Sequence, residues 1–177
     1  RHRASPRRRQ PRLPREELTP RTTPLIARVR LADSACAARS GETVHVRVIS
    51  YNLRKHAARN ELEHLVATHD PNLLCLQEVD TDDLPRELGP LHLADATKLN
   101  RLGLAIFYSR DRFEALSTKA FQLKRSLHDM IAKPAHERLL GSHLIDRKHD
   151  REVVIGCFHA APLTALNSLR RTQIRAA

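Results

Sequence analysis

The sequence predicts an α/β protein, and three features of its second quarter carry the prediction. Val44, Val46 and Val48 alternate with His45 and Arg47 before the run closes on Ile49-Ser50-Tyr51-Asn52, the period-two pattern of a strand with one buried face. Leu62, Leu65 and Val66 then recur at helical spacing. Leu73-Leu74-Cys75-Leu76 follows as an unbroken apolar run, as a strand covered on both faces requires. Strand, helix and strand in this order make a βαβ unit with parallel strands.

Upstream of that unit, residues 1–42 combine Arg with Pro6, Pro11, Pro14, Pro20 and Pro24 and show neither period. Such a stretch has too little apolar surface to offset its ordering entropy. It reads as a disordered extension to a domain over 43–177, with Pro24 to Leu31 as a candidate short strand within it. The formal charge of +11 is concentrated there. The first forty residues hold eleven Arg against Glu16, Glu17 and Asp33, a net of +8, which leaves +3 for the other 137. The extension reads either as a tether to nucleic acid or a membrane surface, or as a solvated linker.

The helix is predicted over 59–68, with Asn60 as its cap and His69-Asp70-Pro71 as its stop. Further strands are predicted over 102–109, 139–145 and 153–158. The last two flank the charged turn 146–150 and form a hairpin. Residues 119–137 are ambiguous: Leu123, Leu127 and Met130-Ile131 suit a helix that Pro134 would end. Five glycines and no internal repeat exclude a Gly-rich phosphate loop.

Three cysteines, two of them (Cys75 and Cys157) inside apolar runs, argue against a disulfide framework and fit a reducing compartment. No zinc-ligand spacing occurs. No apolar stretch approaches the roughly 20 residues of a membrane-spanning helix, and the Arg-rich start lacks a signal peptide's apolar segment. A cytoplasmic location is expected, and the oligomeric state leaves no signature in the sequence.

The polar residues that close the apolar strands form a series: Asn52 after the first, Glu78 after the second and His159 after the last. Ligands of α/β sheets bind beyond strand carboxyl ends, where loops diverge. Glu78 offers the hard carboxylate that Mg²⁺ prefers, although a Glu beyond a strand is more often simply solvated. Asn52 could orient a phosphate oxygen or a metal-bound water through its donor and acceptor, or merely shape a turn. His159 could give a proton or a charged hydrogen bond near neutral pH, and is one of eleven histidines.

Longer motifs sharpen this reading. Ser50-Tyr51-Asn52-Leu53, Asp70-Pro71-Asn72-Leu73-Leu74-Cys75-Leu76-Gln77-Glu78-Val79, Gly103-Leu104-Ala105-Ile106-Phe107-Tyr108-Ser109 and Phe158-His159-Ala160-Ala161-Pro162 occur in that order. From about Val44 onward, with a looser match over Lys119 to Arg138, the chain resembles the endonuclease/exonuclease/phosphatase superfamily, the DNase I-like proteins. Asn167-Ser168-Leu169-Arg170-Arg171-Thr172-Gln173 is similar to the family's helix after its His. The resemblance implies a four-layer α/β/β/α sandwich, two packed sheets flanked by helices, of which this chain would hold the amino-terminal part.

It also implies an activity, the hydrolysis of phosphate esters by in-line attack of water assisted by Mg²⁺, with Mn²⁺ as the alternative ion. Glu78 would be the metal ligand, Asn52 and His159 the catalytic groups, and Asn52 and Arg170 the substrate contacts. Two family motifs are not found: a later Asp-x-Asn and a final Asp-His pair. The chain is therefore expected to be a truncated, inactive and marginally stable portion of a phosphoesterase or nuclease. The substrate, nucleic acid among the candidates, is not identified by these motifs. The alternatives are a nucleic-acid-binding protein acting through its Arg-rich tail, and a catalytically dead relative.

Overall fold

The computed structural model describes residues 23–30, 45–98, 102–122 and 137–159. Its strands are β1 (Leu25–Arg30), β2 (His45–Asn52), β3 (Leu73–Val79), β4 (Glu87–Leu88), β5 (Leu91–Ala96), β6 (Gly103–Ser109), β7 (Phe113–Gln122), β8 (Glu137–Asp146) and β9 (Arg151–Phe158), with helix α1 (Leu62–His69) between β2 and β3. Single 3-10 turns precede α1 at Arg59–Glu61 and follow β3 at Thr81–Asp83. Strands β1-β2-β3-β6-β5-β4 form one sheet in that order, and β7-β8-β9 form a second.

The predicted βαβ unit is present: β2 and β3 run parallel, with Val48 opposite Leu73 and Asn52 opposite Gln77. Because successive side chains of a strand point to opposite faces, the apolar run of β3 feeds two cores. Leu74 and Leu76 join Ile49, Tyr51, Leu62, Leu65, Val66 and Phe107 between the first sheet and α1. Leu73 and Cys75 join Leu104, Ile106, Phe113, Leu140, Leu144, Ile155 and Cys157 between the two sheets. The result is a helix, a sheet and a second sheet in layers, consistent with part of a DNase I-like sandwich. Among the described residues α1 is the only α-helix, and none is long and apolar enough to cross a membrane.

The candidate strand within the Arg/Pro-rich extension is β1, which pairs antiparallel with β2 from Leu25↔Ser50 to Arg30↔His45. Residues 1–22 and 31–44 lie outside the described residues. The predicted hairpin is β8–β9, in register from Leu139↔Phe158 to Asp146↔Arg151.

One local expectation is corrected, and two others are made specific. Asn60 does not cap α1: the cap position is Glu61, which makes no side-chain cap bond, and Asn60 lies inside the preceding 3-10 turn. The stop signal works through Asp70, left-handed at φ 42°, whose N–H closes on the Val66 carbonyl at 2.9 Å. Residues 119–122, within the ambiguous stretch, belong to strand β7, and 123–136 lie outside the described residues. Strands β4, β5 and β7 lack an alternating apolar signature because their faces are mixed: β7 buries Phe113 but leaves most of its length exposed.

A polar cluster joins the two sheets at the end remote from the strand carboxyl ends of β2 and β3. Asp146, fully buried, accepts from Arg112 Nη2 at 2.9 Å and contacts His149 Nδ1 at 3.0 Å. Arg112 Nη1 reaches on to the His45 carbonyl at 2.8 Å and Asn72 Oδ1 at 3.1 Å. Asp146 thus ties the turn after β8 to the starts of β2 and β3. Burial alone would raise its pKa, but hydrogen bonds and charge from Arg112 and His149 outweigh that and hold it below the ordinary value.

Candidate active site

The site is built where β2, β3 and β9 end. The parallel pairing of β2 and β3 puts Asn52 beside Gln77, one residue from Glu78. A register shift between Gln77 and Val79 leaves Glu78 as a bulge with φ 54°. A left-handed backbone at a non-glycine residue is costly and persists when its surroundings over-determine it. Here the bulge turns the Glu78 side chain back toward Asn52, whose Nδ2 donates to Oε1 at 3.1 Å. On the neighbouring sheet, β9 ends at Phe158, and His159 Nε2 lies 3.5 Å from the same Oε1.

The three residues singled out from strand ends are therefore together in space, one carboxylate with an amide on one side and an imidazole on the other. Glu78 and His159 are partly exposed, with side-chain accessibilities of 22% and 27%, so solvent and ligand can reach them. Arg170, expected to contact substrate, lies outside the described residues.

Sequence patterning gave no sign of the turn that frames this group. Arg54, Lys55 and His56 all adopt left-handed φ, at 53°, 57° and 70°. This hook aims successive N–H groups at the site: Arg54 donates to Asn52 Oδ1 at 2.8 Å, Lys55 to Glu78 Oε2 at 2.8 Å, and His56 to the Glu78 carbonyl at 2.9 Å. Of the three, the Lys55 N–H meets the carboxylate itself, while the other two hold the Asn52 amide and the Glu78 backbone in place. His56 is held in turn, its Nδ1 accepting from the Asp80 N–H at 3.1 Å and its Nε2 facing Asp83 Oδ2 at 3.4 Å.

Arg54 anchors the other side of the hook, pairing with Glu61 Oε1 at 2.9 Å, while the other Glu61 oxygen takes the Tyr51 hydroxyl. Burial and the Glu61 hydrogen bond push the Tyr51 pKa up to about 12, so its hydroxyl stays a donor. Under the site, Gln77 donates to Ser50 Oγ at 3.0 Å and to Cys157 Sγ at 3.5 Å, joining the two sheets directly below Glu78 and His159. The thiols of Cys75 and Cys157 are both reduced and buried.

The fold that carries this site recurs in solved structures. The human Nocturnin catalytic domain with bound sulfate superposes with a TM-score of 0.54 at 17% identity, over 72% of this chain and 55% of that one. D. rerio TDP2 in complex with a single-strand DNA product gives 0.56 at 16%, over 73% and 51%. ANGEL2, a 2',3'-cyclic phosphatase in complex with adenosine-2',3'-vanadate, gives 0.54 at 17%, over 73% and 45%. All three belong to the endonuclease/exonuclease/phosphatase superfamily.

The chain has the endonuclease/exonuclease/phosphatase fold. It spans about half the length of the structures it matches. No family model matches the sequence, and no curated protein matches it. Within this DNase I-like fold, Asn52, Glu78 and His159 stand at the strand ends where the motifs had placed them.

Proposed function

We propose that the protein is a metal-dependent hydrolase of phosphate esters, with Glu78 as the carboxylate that holds Mg²⁺, or Mn²⁺ in its place. The observation that carries this reading is the meeting of Asn52, Glu78 and His159 on one carboxylate oxygen. The donor set fits such an ion. Glu78 is ringed by hydrogen-bond donors yet partly open to solvent, and a carboxylate offers about four lone-pair sites. Among the described residues no group of three His, Cys, Asp or Glu side chains converges. Mg²⁺ suits this arrangement, since it commonly takes one or two carboxylates and completes its shell with water and substrate phosphate oxygens.

When bound, the ion would neutralise phosphate oxygens and the leaving group. The chain's own groups would do the rest of the binding. Asn52, neutral and fixed by the Arg54 N–H at its Oδ1, holds the Glu78 carboxylate in place without adding negative charge beside an anionic substrate. His159 Nε2, 3.5 Å from Glu78 Oε1, would hydrogen-bond a non-bridging oxygen and give it a proton. Arg170 is proposed as a further phosphate contact, and nucleic acid as one candidate substrate.

The family's water-activating motifs have no counterpart in these 177 residues: no Asp-His pair occurs, and no Asp-x-Asn follows His159. We therefore propose that the chain by itself binds metal and phosphate but hydrolyses weakly or not at all. The test is a Mg²⁺ titration of the wild-type chain and Glu78→Gln, followed by calorimetry. At least tenfold weaker binding by Glu78→Gln is expected; equal affinity would remove Glu78 from the metal site.

A further inference from the structure

We propose that Lys55 is a phosphate-contacting residue of this site, a cation presented by the left-handed hook to the anionic group that binds at Glu78. The inference rests on the reading of Glu78 as the centre of a phosphate-ester site. Its first support is position: the Lys55 N–H donates to Glu78 Oε2 at 2.8 Å, so the residue's backbone is fixed against the carboxylate. From there a four-carbon side chain spans the few ångströms to a ligand bound over Glu78.

The second support is how charge is disposed along the hook. Of its three basic side chains, two are engaged by carboxylates: Arg54 by Glu61 at 2.9 Å, and His56 by Asp83 at 3.4 Å. Arg59, just beyond, is also paired with Asp83. The Lys55 side chain is exposed, and among the described residues no carboxylate is bonded to it. A compact ammonium on a flexible stem is suited to meeting a phosphate as a point charge.

The third support is the backbone. Three successive left-handed residues without a glycine are a conformation that packing alone does not favour. A right-handed course through residues 54–56 would remove the N–H groups from Asn52 and Glu78 and carry the Lys55 side chain elsewhere. The hook therefore fixes two things together, the orientation of the carboxylate and the backbone position from which the Lys55 side chain extends.

The experiment uses the 177-residue chain and inorganic phosphate as the probe, titrated with and without Mg²⁺ and followed by ³¹P NMR. Lys55→Met and Lys55→Gln should each weaken phosphate binding about fivefold or more, while Lys55→Arg stays near wild type. Mg²⁺ affinity measured alone should be unchanged in all three, and their circular dichroism and Tm should match wild type, since the side chain is exposed. Phosphate affinity in Lys55→Met equal to wild type, or no phosphate binding by the wild-type chain under either condition, would overturn the assignment. A parallel titration separates this from the parent reading. If Mg²⁺ binds Glu78→Gln as well as wild type, the metal assignment fails, whereas Lys55 is judged by phosphate alone.

Discussion

Asn52 and Glu78, 26 residues apart in the chain, are joined by a 3.1 Å hydrogen bond from Nδ2 to Oε1. The bond exists because β2 and β3 are parallel and end together, and because the bulge at Glu78 turns its side chain toward β2. It makes the carboxylate proposed to hold the metal and the Asn52 amide beside it one unit.

Replacing Asn52 should therefore cost both stability and metal binding. Asn52→Ala removes a donor to a partly buried carboxylate and frees the Arg54 N–H, a loss of about 1.5–3 kcal/mol for a hydrogen bond to a charged group. Asn52→Asp should be worse, because it sets a like charge against Glu78. Urea unfolding measures the first effect, and Mg²⁺ calorimetry the second. Wild-type values in both would mean that the two residues are neighbours without coupling.

The buried Asp146 gives a pH dependence whose sign is fixed by the direction of its shift. Its folded pKa is held below the ordinary value of 3.8 by Arg112 and His149. A depressed carboxyl contributes stability above its unfolded pKa and loses it as pH falls through the folded one. Wild-type stability should thus fall from about pH 4 downward. Asp146→Asn, which leaves Arg112 facing a buried neutral amide, should be less stable at pH 7 by about 3 kcal/mol. The gap between the two proteins should narrow as the pH drops below 4. A constant gap from pH 7 to pH 2, by urea midpoints, would show that Asp146 is not charged in the native state.

Strand β1 separates two truncations. Residues 1–22 carry the Arg/Pro pattern without an apolar face, and their removal should leave the Tm unchanged. Removal through residue 31 also takes β1 and bares the hydrogen-bonding edge of β2, whose last residue is Asn52. Leu25, Ile26 and Val29 are themselves 40% or more exposed, so the cost is mainly the lost ladder. A Tm lower by a few degrees and concentration-dependent aggregation are expected. Equal melting of both truncations would show that β1 adds nothing to the sheet.

What could be read from the sequence follows the same physics. Alternation and unbroken apolar runs marked β2, β3, β6, β8 and β9 because those strands bury one or both faces, and the motif order placed Asn52, Glu78 and His159. Strand β5, with Leu91 fully buried and its other residues intermediate or exposed, offers no such period. The Arg112–Asp146 pair joins residues 34 apart in the chain, at the paired ends of β7 and β8, a relation that local pattern does not encode. The hook escaped for a different reason: positive φ is signalled by Gly or Asn, and Arg54-Lys55-His56 contains neither.

That departure yields the last prediction. If Lys55 is kept at φ 57° for what its side chain does, then relieving the strain should stabilise the fold and weaken ligand binding together. Lys55→Gly is the direct probe, since glycine takes left-handed φ without a Cβ penalty, whereas an L-residue pays about 1–2 kcal/mol there. The added chain entropy of glycine in the unfolded state returns about 0.4–1 kcal/mol. The net gain should be up to about 1.6 kcal/mol, a rise of a few degrees in Tm for a domain of this size. The Lys55 N–H bond to Glu78 is a backbone bond and survives the change, so Mg²⁺ affinity should hold while phosphate affinity falls. Lys55→Ala provides the control, because it removes the ammonium but keeps the Cβ. It should lose phosphate binding to the same extent without the gain in Tm. If Lys55→Gly melts at or below the wild-type temperature, the hook is not strained at this residue, and its left-handed course must be explained by the hydrogen bonds to Asn52 and Glu78 alone.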